Sequence, residues 1–84
     1  MLIILADEKV KFSLDAIGLY CPEPLFQTRT SLDDEIDVGE ILEVFADDPA
    51  AEEDIKRLVK RTGHELINFE NNDGVFRFLI KKIK

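Results

Sequence analysis

The chain has 84 residues, 45% apolar and 35% charged. That is the composition of one small globular domain with a single two-layer core, which excludes a second domain or a cleft between lobes. Eighteen acidic against eleven basic residues leave a net charge of −7, so the chain is a poor unaided ligand for nucleic-acid phosphates or anionic lipid. Cys21 is the one cysteine and His64 the one histidine, too few for an intrachain disulfide or a Cys/His metal site within one subunit.

The apolar run Leu2 to Ala6 lacks a basic start and is broken by Asp7 and Glu8. It is too short for a signal peptide or a membrane span, and the compartment expected is the cytoplasm. Residues 1–11 read as an N-terminal extension, with Met1–Ala6 as a candidate extra strand, on a single domain covering 1–84. Val10, Phe12, Leu14 and Ala16 alternate with polar neighbours, the pattern of a half-buried strand. After Gly18 comes Cys21-Pro22-Glu23-Pro24. Proline is tolerated in a first helical turn, where N–H groups have no internal partner. A helix is therefore predicted over 22–34, with Leu25, Thr28, Leu32 and Ile36 near helical spacing.

Ile41–Ala46 reads as a short apolar strand. Asp48 and Pro49 read as the N-cap and first residue of a second helix. On that helix Ala51, Ile55, Leu58, Val59 and Thr62 share one face. Glu52, Glu53 and Asp54 sit at its positive end, Lys60 and Arg61 at its negative end, and Gly63 closes it. Two strands, 65–70 and 75–80, flank Asn71-Asn72-Asp73-Gly74, a hairpin signal. The order β-α-β-α-β-β predicts an α+β fold: a two-layer α/β sandwich, with a mixed four-stranded sheet and both helices on one face.

Phe12, Phe45, Phe69, Phe76 and Phe78 read as core or sheet-face residues. Phe76 and Phe78 as a base-stacking platform for RNA is the less favoured reading, because of the acidity. From Asp33 to Asp54 there are eleven acids and no base. This is either a solvated rim that keeps the protein soluble or a docking face for a basic partner, with Glu40, Glu43, Asp47 and Asp48 as candidate contacts.

Chemistry points to Cys21. A lone cysteine is ordinarily a packed, inert residue, but this one stands between a strand end and a helix start. As N-cap its sulfur would face the positive helix end, with the Glu23 N–H as main donor because Pro24 has none. That placement predicts a modestly lowered thiol pKa, opposed by the Glu23 carboxylate. Gly18, Pro22, Glu23 and Pro24 shape the turn. No base neighbours the thiol in sequence, and His64 reads as a strand-edge residue. With no second cysteine, a thiol–disulfide redox pair is excluded. What remains is a thiol that forms a covalent adduct and hands it on.

Leu14-Asp15-Ala16, Gly18-Leu19 and Cys21-Pro22-Glu23-Pro24 together resemble the signature of the TusA/SirA/YedF family of small sulfur-carrier proteins. Ala46 to Ala50, Asp54-Ile55, Gly63 to Leu66 and Arg77 to Ile80 are similar to the family pattern as well, so the resemblance runs from about Phe12 to Lys82. The chain departs from it at Ile17 and Tyr20, where the family more often carries basic or polar residues. The resemblance implies that Cys21 accepts sulfane sulfur as a persulfide from a donor protein, such as a cysteine desulfurase or rhodanese. It then relays the sulfur to an acceptor protein, for tRNA thiolation, sulfur metabolism or cofactor assembly. It implies no cofactor and no metal, no direct contact with nucleic acid or membrane, and a sulfurtransferase component rather than a stand-alone enzyme. The alternative is a non-catalytic binding or regulatory module in which the Cys-Pro-Glu-Pro turn is structural.

Overall fold

The computed structural model of the chain describes residues 10–84; the candidate strand over Met1–Ala6 lies outside them. The elements run β1 (Val10–Ala16), α1 (Glu23–Asp34), β2 (Ile41–Ala46), α2 (Ala51–Thr62), β3 (Glu65–Asn72) and β4 (Val75–Lys81). The sheet order is β1-β2-β4-β3. β1 lies parallel to β2, and β4 is antiparallel to both β2 and β3. This is the α+β, mixed four-stranded architecture expected from the element order.

Strand alternation sorts the sheet into two faces. Ala16, Leu42, Val44, Ala46, Phe76, Phe78 and Ile80 point to one side. There they pack with Leu32 and Ile36 at and beyond the end of α1, and with Ala51, Ile55 and Val59 of α2. Both helices therefore cover the same face. Phe69, Phe76 and Phe78 stack within this layer at centroid separations of 5.2 to 6.3 Å. Phe78 is fully buried and Phe76 nearly so, so the two rings are core and present no platform to a nucleobase. Phe45 lies half-buried on the opposite face.

That opposite face carries a polar network reaching across all four strands. Ser13 donates to Glu43 at 2.9 Å, and Arg77 pairs with Glu43 at 2.6 Å and with Glu70 at 3.5 Å. Arg77 and Glu43 are only 26% and 15% exposed, so the pair is better shielded than an ordinary surface ion pair.

Local chemistry fixes the turns. Asp73 and Gly74 both have positive φ, 54° and 88°, and form a two-residue hairpin turn in which the Gly74 N–H donates to the Asn71 side chain. A side chain at Gly74 would be strained there. The N-terminus of α2 differs from the sequence reading. Asp48 and Pro49 do not start the helix: its cap is Ala50, without a side-chain hydrogen bond, because Pro49 and Ala50 complete a turn closed from Ala51 N–H to the Asp48 carbonyl at 2.8 Å. α1 likewise starts one residue later than predicted, at Glu23. His64 precedes β3, where its Nδ1 accepts the Ile83 N–H at 3.1 Å. Burial and the nearby Lys82 lower its pKa from the ordinary value, consistent with a neutral, structural imidazole.

Ile55 has no solvent exposure and joins α2 to the sheet. Ile55→Ala should cost about 2–5 kcal/mol of unfolding free energy, read as a lower midpoint in urea denaturation followed by circular dichroism. A midpoint within error of wild type would show that α2 is not part of the main core.

Candidate functional site

Parallel pairing puts Ala16, the last residue of β1, opposite Ala46, the last residue of β2. The two strand-to-helix loops therefore leave the same edge of the sheet side by side. Gly18 turns the first loop with φ +87°, and a Cβ at that φ would be strained. The Gly18 N–H donates to Asp47 Oδ1 at 2.9 Å, and the Cys21 N–H donates to Asp48 Oδ2 at 2.5 Å. Asp48 Oδ1 also accepts the Ala50 N–H at 3.2 Å, so one carboxylate clamps both loops. Asp15 accepts the Ile17 N–H, and Leu19 N–H donates to the Ala16 carbonyl. The loop carrying Cys21 is tied down at four of its amides.

This assigns Asp48 a role other than the helix cap read from the sequence, and gives Asp47 a matching one on the Gly18 amide. Of the remaining acids considered as docking contacts, Glu40 accepts the Asp37 N–H at 2.7 Å and Glu43 is held by Arg77 and Ser13. All four carboxylates thus have intramolecular partners.

Cys21 is exposed, and the peptide bond between it and Pro22 is cis. It is not the N-cap of α1. Pro22 holds that position, and the helix has no side-chain cap. The Glu23 N–H expected to face the sulfur donates instead to the Tyr20 carbonyl at 2.8 Å, and the Phe26 N–H donates to the Pro22 carbonyl. With prolines at 22 and 24 supplying no donors, the positive end of α1 has little left to offer a thiolate.

The partner the sulfur does have comes from α2. The Cys21 thiol donates to Asp54 Oδ2 at 3.2 Å, while Arg57 lies 3.6 Å from Asp54 Oδ1. The thiol pKa is raised above its ordinary 9.0, first by this hydrogen bond to Asp54, then by lost hydration and by the negative charges of Asp54 and Asp48. The lowered pKa expected from the sequence is therefore overturned: carboxylates, not helix amides, dominate the local field. Asp54 is also the residue whose tie to the thiol the sequence reading missed, having placed it at the positive end of α2, in the acidic stretch and in the family pattern. The available signal was topological. In a β-α-β crossover the second helix begins beside the loop that leaves the first strand, and Asp54 stands one turn into that helix.

Three large apolar side chains on the same loop and the first turn of α1 are open to solvent: Ile17, Tyr20 and Phe26 are 46%, 78% and 56% exposed. Among the described residues no group of three or more His, Cys, Asp or Glu side chains is placed to hold a metal ion, and no helix is long and apolar enough to cross a membrane.

Residues 12–82 match the family model described as sulfurtransferase TusA. A protein of Archaeoglobus fulgidus described as a candidate sulfur carrier is 57% identical over 72 residues, spanning 84% of this chain and 92% of that protein. The sulfur carrier protein TusA of Allochromatium vinosum is 41% identical over 69 residues, spanning 82% of this chain and 90% of that protein. The crystal structure of a SirA-like protein from Desulfitobacterium hafniense superposes with a TM-score of 0.75 at 20% identity, covering 87% of this chain and 99% of that one; at that identity the match establishes the shared fold alone.

Replacing Asp54 by asparagine removes one negative charge and leaves only a neutral amide oxygen, a weaker acceptor for the thiol. In Asp54→Asn the thiol pKa should fall toward 9.0, and alkylation by iodoacetamide at pH 7.5 should speed up roughly threefold. The gain is modest because a less basic thiolate is also a weaker nucleophile. An alkylation-rate profile against pH measures both, and a profile that moves to higher pH would contradict the assigned field.

Proposed function

Because the chain belongs to the sulfurtransferase TusA family, we propose that it is a sulfur carrier whose cargo is a persulfide on Cys21. The observation that carries this reading is the combination of one exposed thiol with a loop held by four amide hydrogen bonds. A carrier must present the same atom to successive partners without rearranging. A rigid loop does so, and the exposed apolar side chains of Ile17 and Tyr20 on it and Phe26 at the start of α1 offer each partner a surface to cover.

The transfer balances as two exchanges. The Cys21 thiol gives up its proton, and its sulfur attacks the outer sulfur of a donor protein's cysteine persulfide. The donor's S–S bond breaks and its cysteine leaves as a thiolate, which takes up a proton. An acceptor thiolate then attacks the outer sulfur on Cys21, the Cys21 S–S bond breaks, and Cys21 departs as a thiolate that is reprotonated. Asp54 Oδ2, already accepting from the thiol, is the nearest group to receive the outgoing proton. Among the described residues, no base stronger than a carboxylate touches the sulfur. The free protein is therefore a restrained nucleophile that reacts when a partner's persulfide is brought against it. Donor and acceptor are proteins with reactive sulfur, a cysteine desulfurase or rhodanese being the kind of donor that fits. Delivery to tRNA thiolation, sulfur metabolism or cofactor assembly is a matter of which acceptor docks.

The test is intact-protein mass spectrometry after incubation with a cysteine desulfurase, pyridoxal phosphate and cysteine. Wild type should gain the mass of one or more sulfur atoms, removed by dithiothreitol, and Cys21→Ser should gain none. A wild-type thiol left unmodified by a donor that loads other carriers would refute the proposal and favour a binding module with a structural turn.

A further inference from the structure

Three of the four arginines in this acidic chain, Arg29, Arg57 and Arg61, line one groove. It lies between α1 and α2 and has a volume of about 420 Å³. Leu25 and Phe26 of α1 and Leu58 of α2 supply its apolar surface, and Asp54, the acceptor of the Cys21 thiol, is part of its lining. The spacing explains the arrangement. Leu25 and Arg29 stand one turn apart on α1, while Asp54, Arg57, Leu58 and Arg61 follow the three- and four-residue steps of one face of α2. The fourth arginine, Arg77, is engaged by Glu43 and Glu70 on the far side of the sheet.

We infer that this groove is the docking site for an acidic, leucine-like segment of a partner protein, the segment that guides the partner's reactive sulfur to Cys21. The inference rests on the sulfur-carrier reading for its biological meaning but not for its geometry. Charge complementarity names the occupant. With a net charge of −7, the protein would repel an acidic partner at most orientations, so a local cluster of three guanidiniums selects the one approach that ends beside the sulfur. Solvent exposure argues against a small anion. All three arginines are exposed, and well-hydrated guanidiniums hold a single phosphate-sized ion weakly, whereas a segment with several carboxylates engages them together while its apolar side chains cover Leu25, Phe26 and Leu58. Arg57 already pairs with Asp54 at 3.6 Å, which leaves Arg29 and Arg61 as the principal contacts.

The experiment is fluorescence anisotropy with a fluorescein-labelled synthetic peptide of alternating glutamate and leucine, against a lysine–leucine peptide of the same length. The wild-type protein should bind the acidic peptide and not the basic one, with affinity falling as sodium chloride rises. Arg29→Glu with Arg61→Glu should weaken binding about tenfold or more, while Arg29→Lys with Arg61→Lys, which keeps the charge, should retain most of it. Thermal melts of each variant check folding, and the lysine variant keeps the comparison open if the glutamate variant melts early. Equal binding of both peptides, or no loss in the glutamate variant, would overturn the inference. So would displacement by inorganic phosphate beyond that by sodium chloride at equal ionic strength, which would mark a small-anion site. Peptide binding needs no sulfur chemistry, so its failure counts against the groove alone, and a missing sulfur adduct counts against the carrier reading alone.

Discussion

Ala16 and Ala46 face one another at the ends of two parallel strands, and from that pairing the whole arrangement around the thiol follows. Parallel neighbours deliver their outgoing loops to the same edge, so a residue early in the chain meets carboxylates about thirty positions later. Asp47 and Asp48 take the Gly18 and Cys21 amides. Antiparallel pairing of the same two strands would send these loops to opposite edges, and each loop would then have to satisfy its own backbone. The core beneath, with Phe78, Ile55 and Leu42 fully enclosed, keeps both helices on one face and so keeps the start of α2 within reach of the first loop.

The clamp has an electrostatic consequence. Acids used to hold a loop by its amides bring negative charge next to the sulfur. Asp54 adds a direct hydrogen bond, and the thiol is held in its protonated form. A helix start would have worked in the opposite direction, but α1 begins with two prolines and spends the Glu23 N–H on the Tyr20 carbonyl. Reactivity in the free protein is therefore restrained while accessibility is preserved. That combination suits a group that should react with a docked protein rather than with any passing electrophile.

Surface charge is partitioned with equal consequence. Much of the acidic stretch from Asp33 to Asp54 is engaged within the fold: Glu40, Glu43, Asp47, Asp48 and Asp54 each accept a hydrogen bond, and Glu52 pairs with Lys56. The arginines divide between the network on the far face of the sheet and the groove between the helices. A net charge of −7 thus describes the solution behaviour of the molecule and hides this division: carboxylates stand nearest the sulfur, while three arginines and apolar side chains share the groove beyond Asp54.

Read without coordinates, the residues settled the local matters. Alternation in β1, the helical stripe through Ile55 and Val59, and the Asp73-Gly74 turn are properties of neighbours in the chain, so element order, the mixed sheet and the placement of Cys21 on an exposed turn were all legible. Helix starts were less so: Asp48-Pro49 carries the chemistry of a cap, and only the positions of the neighbouring loop amides reveal that its carboxylate is used elsewhere. The state of the thiol was decided by tertiary structure alone. Its governing partner, Asp54, is 33 residues away, and hydrogen bonding and Coulomb attraction depend on distance in space, which no reading of adjacent residues supplies. The same holds for the arginine groove, whose two walls come from helices with a strand between them in the sequence.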